Sequence, residues 1–205
     1  MALTAISVNK CDRTAGGIKR MFVCDAEDLS SFVFAADSTN HDITDIVFDT
    51  TGSPVYFKEI NFKKGEARYE VNQSRDEGTG VDTAQMSVFV NVPAPDSTQL
   101  AALEALRNTC ELVVVVQEFG TNTFMRVLGA DQSEFGTMEF MALNGGSGAV
   151  RTDANTYELQ LMGEQTEAPF ILESVLNDAT PTPAAVTDQD EIVAYLTTGT
   201  RPVAP

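Results

Sequence analysis

Leu112-Val113-Val114-Val115-Val116 is the stretch that decides the fold. Valine's branched Cβ stiffens its side chain and suits a pleated surface more than a helix. Successive strand residues point to opposite faces, so an apolar run without a polar gap predicts a strand buried on both faces. Five residues are too few to cross a bilayer. Directly before it, Asp96 or Ser97 can cap a helix running to about Thr109, with Leu100, Leu103 and Leu106 on one stripe. That stripe predicts one helix lying over a sheet. After the run, Gly120-Thr121-Asn122 predicts a turn and Phe124 to Leu128 a returning strand.

Further out, Met86 to Val92 alternates strictly: Met86, Val88, Val90 and Val92 share one face, and Gln85, Ser87, Phe89 and Asn91 the other. Strands are also predicted at Ile18 to Val23, Ser31 to Ala36, Ile43 to Phe48, Phe135 to Leu143, Asn155 to Met162 and near Phe170 to Leu172. Val55 to Phe62 and Ala67 to Val71 flank Lys63-Lys64-Gly65-Glu66 and read as a hairpin. The polar excursion Asn72 to Thr83 has almost no apolar content, and is expected to be the large mobile tip of a long hairpin. Asn144 to Gly148 reads as another hairpin loop. The fold class that follows is mainly β: an antiparallel sandwich or open barrel, with one flanking α-helix, a long β-hairpin loop and extended terminal arms. Residues 1–175 form the domain. Residues 176–205, opening on Asp178-Ala179-Thr180-Pro181-Thr182-Pro183, read as an extended acidic arm whose deletion leaves a folded body.

The chain has 205 residues, with 13 Lys+Arg against 30 Asp+Glu and a net charge of -17. Its 43% hydrophobic content suffices for a core, which sets it apart from disordered acidic polymers. The charge argues against broad nucleic-acid binding and against docking on an anionic membrane. Its ends differ. Residues 1–20 hold four cations and one carboxylate, whereas residues 164–205 hold seven carboxylates and one arginine. Opposite ends suit head-to-tail contacts, which close into rings or continue as filaments. The start, MALTAISVNK, has neither basic n-region nor apolar h-region, so no signal peptide and a cytoplasmic origin are expected.

Catalytic and metal-binding patterns are not found. The single histidine, His41, sits in a polar run and reads as a surface-loop residue. Cys11, Cys24 and Cys110 have no CxxC spacing and read as free thiols. Gly145-Gly146-Ser147-Gly148 joins two strands rather than opening a helix, so it lacks the amide cluster of a phosphate site. Asp76, Glu77 and Asp82 lack the spacing of a calcium loop. No enzyme, cofactor or metal is expected.

The order of elements resembles the tail-tube proteins of tailed bacteriophages. It runs strands, long hairpin 55–92, helix 97–109, then strands 112–172, with Gly16-Gly17-Ile18-Lys19-Arg20 opening the first strand. The resemblance covers about residues 1–175. It implies a virion protein assembled in the bacterial cytoplasm, whose six-subunit rings stack around a channel that conducts DNA without specific binding. It implies partners in further copies of itself and in other tail or neck proteins, and no membrane. Ring stacking would fall to the loop carrying Asn72, Arg75, Asp76, Glu77 and Asp82, and the segments 1–15 and 176–205 would reach neighbouring subunits. An alternative is another virion component, a capsid decoration protein or a tail-terminator or neck protein. An adhesin-like sandwich is a third class.

Overall fold

The computed structural model describes residues 17–35, 41–51, 55–62, 65–75, 82–119, 125–132, 136–146, 156–176 and 184–203. Strands β1 (Ile18–Asp25), β2 (Leu29–Phe34), β3 (Asp42–Phe48), β4 (Lys58–Glu59), β5 (Ala67–Arg75) and β6 (Asp82–Pro93) precede helix α1 (Ser97–Ala105). Strands β7 (Leu112–Glu118), β8 (Met125–Leu128), β9 (Met138–Gly146), β10 (Thr156–Gln165) and β11 (Phe170–Leu172) follow. The short pair β12 (Val175–Leu176) and β13 (Ala185–Val186) then leads into helix α2 (Gln189–Thr198). The protein is mainly β, and its large sheet is open, with the path β2-β3-β11-β8-β7-β9-β10-β6-β5 and with β1 bridging β4 and β7.

The valine run occupies β7, and every residue from Leu112 to Val116 is at most 1% exposed. Its two faces serve two cores. Leu112, Val114 and Val116 pack with Met21 and Val23 of β1, Met86, Val88 and Val90 of β6, and Leu159 and Leu161 of β10. Val113 and Val115 pack with Phe22, Ile43, Ile46, Val127, Phe170 and four residues of α2. The sheet can serve both because β7 hydrogen-bonds β1 and β8 along its length but meets β9 at a single pair, Leu112 with Met138. At that seam β9, β10, β6 and β5 turn away and lie over the other half, so the fold is sandwich-like.

Several pairings differ from the sequence expectation. The stretch 55–62 does not pair with 67–71. Phe57 is buried in the α2-side core, its N–H donating to the Leu196 carbonyl at 3.0 Å, and β4 pairs with β1 instead. β9 continues through Asn144, Gly145 and Gly146, which read as loop, because Gly145 lets the Tyr157 ring lie directly on its backbone. β11 pairs with β3 in parallel, which makes the sheet mixed. Of the α1 stripe only Leu103 is buried; Leu100 and Leu106 remain part-exposed.

The largest difference is the C-terminal segment. Residues 184–203 are folded onto the body, with a second helix where an extended arm of only weak helical or extended character from Asp188 to Leu196 was expected. Asp188 caps α2 by accepting from the N–H groups of Asp190 (3.0 Å) and Glu191 (3.2 Å). Gly199 ends it in the left-handed region at φ +65, against the Tyr56 ring, where any side chain would collide. Ile192, Val193, Tyr195 and Leu196 are buried at the i, i+1, i+3, i+4 spacing of one helix face. Full burial of such aliphatic side chains contributes roughly 1.5–3 kcal/mol each. The Tyr195 hydroxyl donates to the Ile46 carbonyl at 2.6 Å. Arg201 then clamps the Asp45 carboxylate with two bonds, at 3.1 and 2.8 Å. The Asp45 side chain is only 2% exposed, so it requires that partner.

Ending the chain at residue 176 is therefore expected to abolish cooperative urea unfolding, since the α2-side core would lie open. Arg201→Ala is expected to cost about 2 kcal/mol, the loss of a charged hydrogen bond, with the slope of the urea transition unchanged.

Candidate interaction surface

The β5–β6 hairpin is the element to which the sequence pointed. Its register runs without a bulge from Ala67 opposite Val90 to Arg75 opposite Asp82. Near the body, Ala67, Tyr69 and Val71 face inward. On the outer face the Arg68 guanidinium lies 4.2 Å from the Phe89 ring centre and its Nε donates to Glu70 at 3.1 Å. From Asn72 to Arg75 all four residues are exposed, although they are still strand. β10 supports β6 only as far as Ala84, which pairs with Gln165. Ser74, Arg75, Asp82 and Thr83 therefore project past the sheet as a two-stranded ribbon.

The expected loop Asn72 to Thr83 thus shortens. Asn72 sits in β5 opposite Gln85, over the body of the sheet. Arg75 and Asp82 close the ribbon, with 3.7 Å between Arg75 Nε and Asp82 Oδ1. At about two-thirds exposure on both sides, such a pair contributes about 0–1 kcal/mol. Ser74 Oγ and Thr83 Oγ1 lie 3.3 Å apart across the ribbon. Asp76 and Glu77 lie outside the described residues. The polar composition was read as loop, yet an exposed ribbon needs no apolar face, because cross-strand backbone bonds hold it.

Sequence reasoning missed a polar network behind β5. The Tyr69 hydroxyl donates to the Glu118 carboxylate, and Arg126 Nε donates to Glu118 Oε1 at 2.8 Å. Burial, and then the bond to Glu118, pushes the Tyr69 hydroxyl up to about 12. Burial works against the charge on Arg126, but the bond to Glu118 and the further pull of Tyr69 and of the Glu118 charge together outweigh it and hold the guanidinium above its ordinary value. This network pins β5 to the β7–β8 pair across the open mouth of the sandwich. Beside it lies a cavity of about 430 Å³ lined by Tyr69, Val71, Gln73, Arg126, Ala168 and Pro169. The available signal was an arginine inside the otherwise apolar strand 124–128, which needs a carboxylate neighbour.

On the other side of this sheet, a cleft of about 480 Å³ opens at the β7–β9 seam. Glu111, Glu139 and Glu164 stand around it, with Cys110, Met141 and Met162. Among the described residues, no group of three or more His, Cys, Asp or Glu side chains is placed to hold a metal ion. His41 is not a plain surface residue. Its ring stacks on Phe170 at 3.9 Å, and Nε2 lies 2.6 Å from the Ala168 carbonyl, so it pegs the loop before β11. Cys24 is buried, and that burial, with Asp28 and Asp25 adding to it, pushes its thiol up to about 12; Cys110 is exposed. Cys11 lies outside the described residues. Among those described, no helix is long and apolar enough to cross a membrane.

Comparison with known protein families, with curated proteins and with solved structures finds no match to this chain.

Tyr69 and Tyr195 are both raised from 10 to about 12. A folded-state value above the unfolded one gives stability that is complete below pH 10 and is lost as the pH rises towards 12. Urea unfolding at pH 7 and pH 11 should show that loss. Tyr69→Phe should cost about 1 kcal/mol at pH 7 and make the loss at pH 11 smaller.

Proposed function

We propose that this chain is a structural subunit that assembles with copies of itself, in the manner of a phage tail tube. The observation that carries this reading is the β5–β6 ribbon. It projects beyond a sheet anchored in two cores, and among the described residues β5 has no strand on its outer side. An unpaired edge of nine residues presents a row of backbone donors and acceptors, which natural proteins either protect or use for pairing. Arg68, Glu70 and Arg75 give this edge charges that discourage random pairing while leaving a specific partner possible. The surplus of carboxylates supports the same reading. A wall lined with negative charge repels phosphates and lets a nucleic acid slide past without sticking.

Negative-stain electron microscopy across a concentration and salt series tests the proposal. Rings or hollow tubes are the expected result. Repulsion between copies of net charge -17 weakens as salt shortens the Debye length, so assembly should be favoured by salt. A monomer under all conditions would count against self-assembly and favour a decoration or neck role. The ribbon has its own test. Replacing residues 76–81 by Asn-Gly joins Arg75 to Asp82 through a two-residue hairpin turn that matches the observed pairing. This variant should keep the thermal transition and lose ring stacking. Tubes of normal length would show that the tip has no stacking role.

A further inference from the structure

Three arginines of similar exposure, Arg20, Arg126 and Arg201, pair with carboxylates in different ways. Arg20 holds both oxygens of Glu59, and Arg201 holds both oxygens of Asp45. Arg126 gives Glu118 a single bond, from Nε at 2.8 Å, and the Oε1 atom that accepts it also accepts from the Tyr69 hydroxyl. A guanidinium carries five N–H donors in a fixed fork. With Nε committed, its two Nη groups remain as the parallel pair that matches a carboxylate. Arg126 lines the cavity of about 430 Å³ behind β5, together with Gln73 and an apolar wall of Val71, Ala168 and Pro169. That volume falls in the range of about 300–1,000 Å³ typical of small-molecule sites, whose lining is also mostly apolar with a few polar groups. Both walls are held without a ligand. The bond from Tyr69 to Glu118 fixes β5, and His41 Nε2, 2.6 Å from the Ala168 carbonyl, fixes the loop opposite.

We propose that this cavity binds a small monocarboxylate with an aliphatic body. The carboxylate takes the Nη pair of Arg126, the Gln73 amide supplies a further N–H, and the aliphatic part lies against Val71, Ala168 and Pro169. Two observations select a single charge. Glu118 already offsets the charge of Arg126, so the attraction comes from the geometry of the fork rather than from net charge. A chain of net charge -17 also opposes multiply charged anions such as phosphate more strongly than it opposes a monoanion. Every lining residue comes from one subunit, so the inference does not depend on assembly.

Saturation-transfer NMR on the full-length chain tests it, with hexanoate as the probe and hexanamide as its uncharged isostere. Hexanoate should bind, and hexanamide should bind at least about tenfold more weakly. Gln73 is exposed on β5, so Gln73→Glu should keep the thermal transition while setting a like charge against the ligand. It should weaken hexanoate binding at least about tenfold. Arg126→Lys keeps the positive charge, loses the fork, and should weaken binding by a similar factor. Absence of transfer to hexanoate, or equal affinity for hexanoate and hexanamide, would overturn the proposal. Undiminished affinity in the folded Gln73→Glu chain would overturn it too, since the ligand would then lie elsewhere, and that result does not depend on whether Arg126→Lys folds.

Discussion

The structure depends on one constraint, that β7 is apolar on both faces. A strand with one apolar face needs one covering layer; Leu112 to Val116 needs two. On one side, the cover is the β5-β6-β10-β9 half of the sheet, which can fold over because β7 and β9 share a single pair. On the other side the cover is α2 with Phe57, joined by Val175 and Val186 of the short β12–β13 pair. The seam and the C-terminal helix are thus two answers to one requirement. Neither could be removed without exposing valines that have no polar alternative.

This explains why a segment with the composition of a linker is part of the core. α2 has ten residues, too short to be stable alone in water. What holds it is Asp188 at its start, Gly199 at its end, the Tyr195 hydroxyl on β3 and the Arg201–Asp45 clamp. The clamp lies just past the helix, so the chain is tied on both sides of the buried face. Asp45 is nearly inaccessible to water, and its charge would oppose folding if Arg201 were not there. The ion pair therefore acts mainly as a registration device, specifying where the end of the chain docks.

Local pattern made the strands legible, and the absence of such pattern hid their partners. Period-two alternation at Met86 to Val92 and the unbroken run at Leu112 gave two strands and their burial directly. A cap at Asp96 or Ser97 marked the start of α1, and the structure shows Asp96 in that role, in a capping box with Gln99. Yet periodicity tells which face is buried and not what it is buried against. The β1–β4 pair, the parallel β3–β11 pair and the seat of α2 join residues far apart in the chain, and their cost and reward are set by the whole fold. Helix signals were present in the last segment, with Asp188 three residues before Glu191 and Gly199 just past the apolar positions. The prolines at 181 and 183 obscured them. At the hairpin the polar row from Asn72 was correct as composition and incomplete as structure, because exposed strand and loop share the same residues.

Charge completes the argument about how such a molecule could meet another. Arg20, Arg68, Arg75, Arg126 and Arg201 are each placed against a carboxylate of their own chain, respectively Glu59, Glu70, Asp82, Glu118 and Asp45. Five of the 13 cations are thus committed to fixing local geometry, and an excess of acid remains. Two copies approaching each other would meet repulsion over most of their surface. Attraction must come from groups whose pairing does not depend on net charge, namely backbone N–H and C=O along an open edge, or apolar side chains in a groove. β5 is such an edge, and its own carboxylate, Glu70, is already matched by Arg68. On the proposed reading, an acidic chain with an unpaired edge strand would make selective contacts, since charge opposes approaches that bring no backbone pairing to offset it.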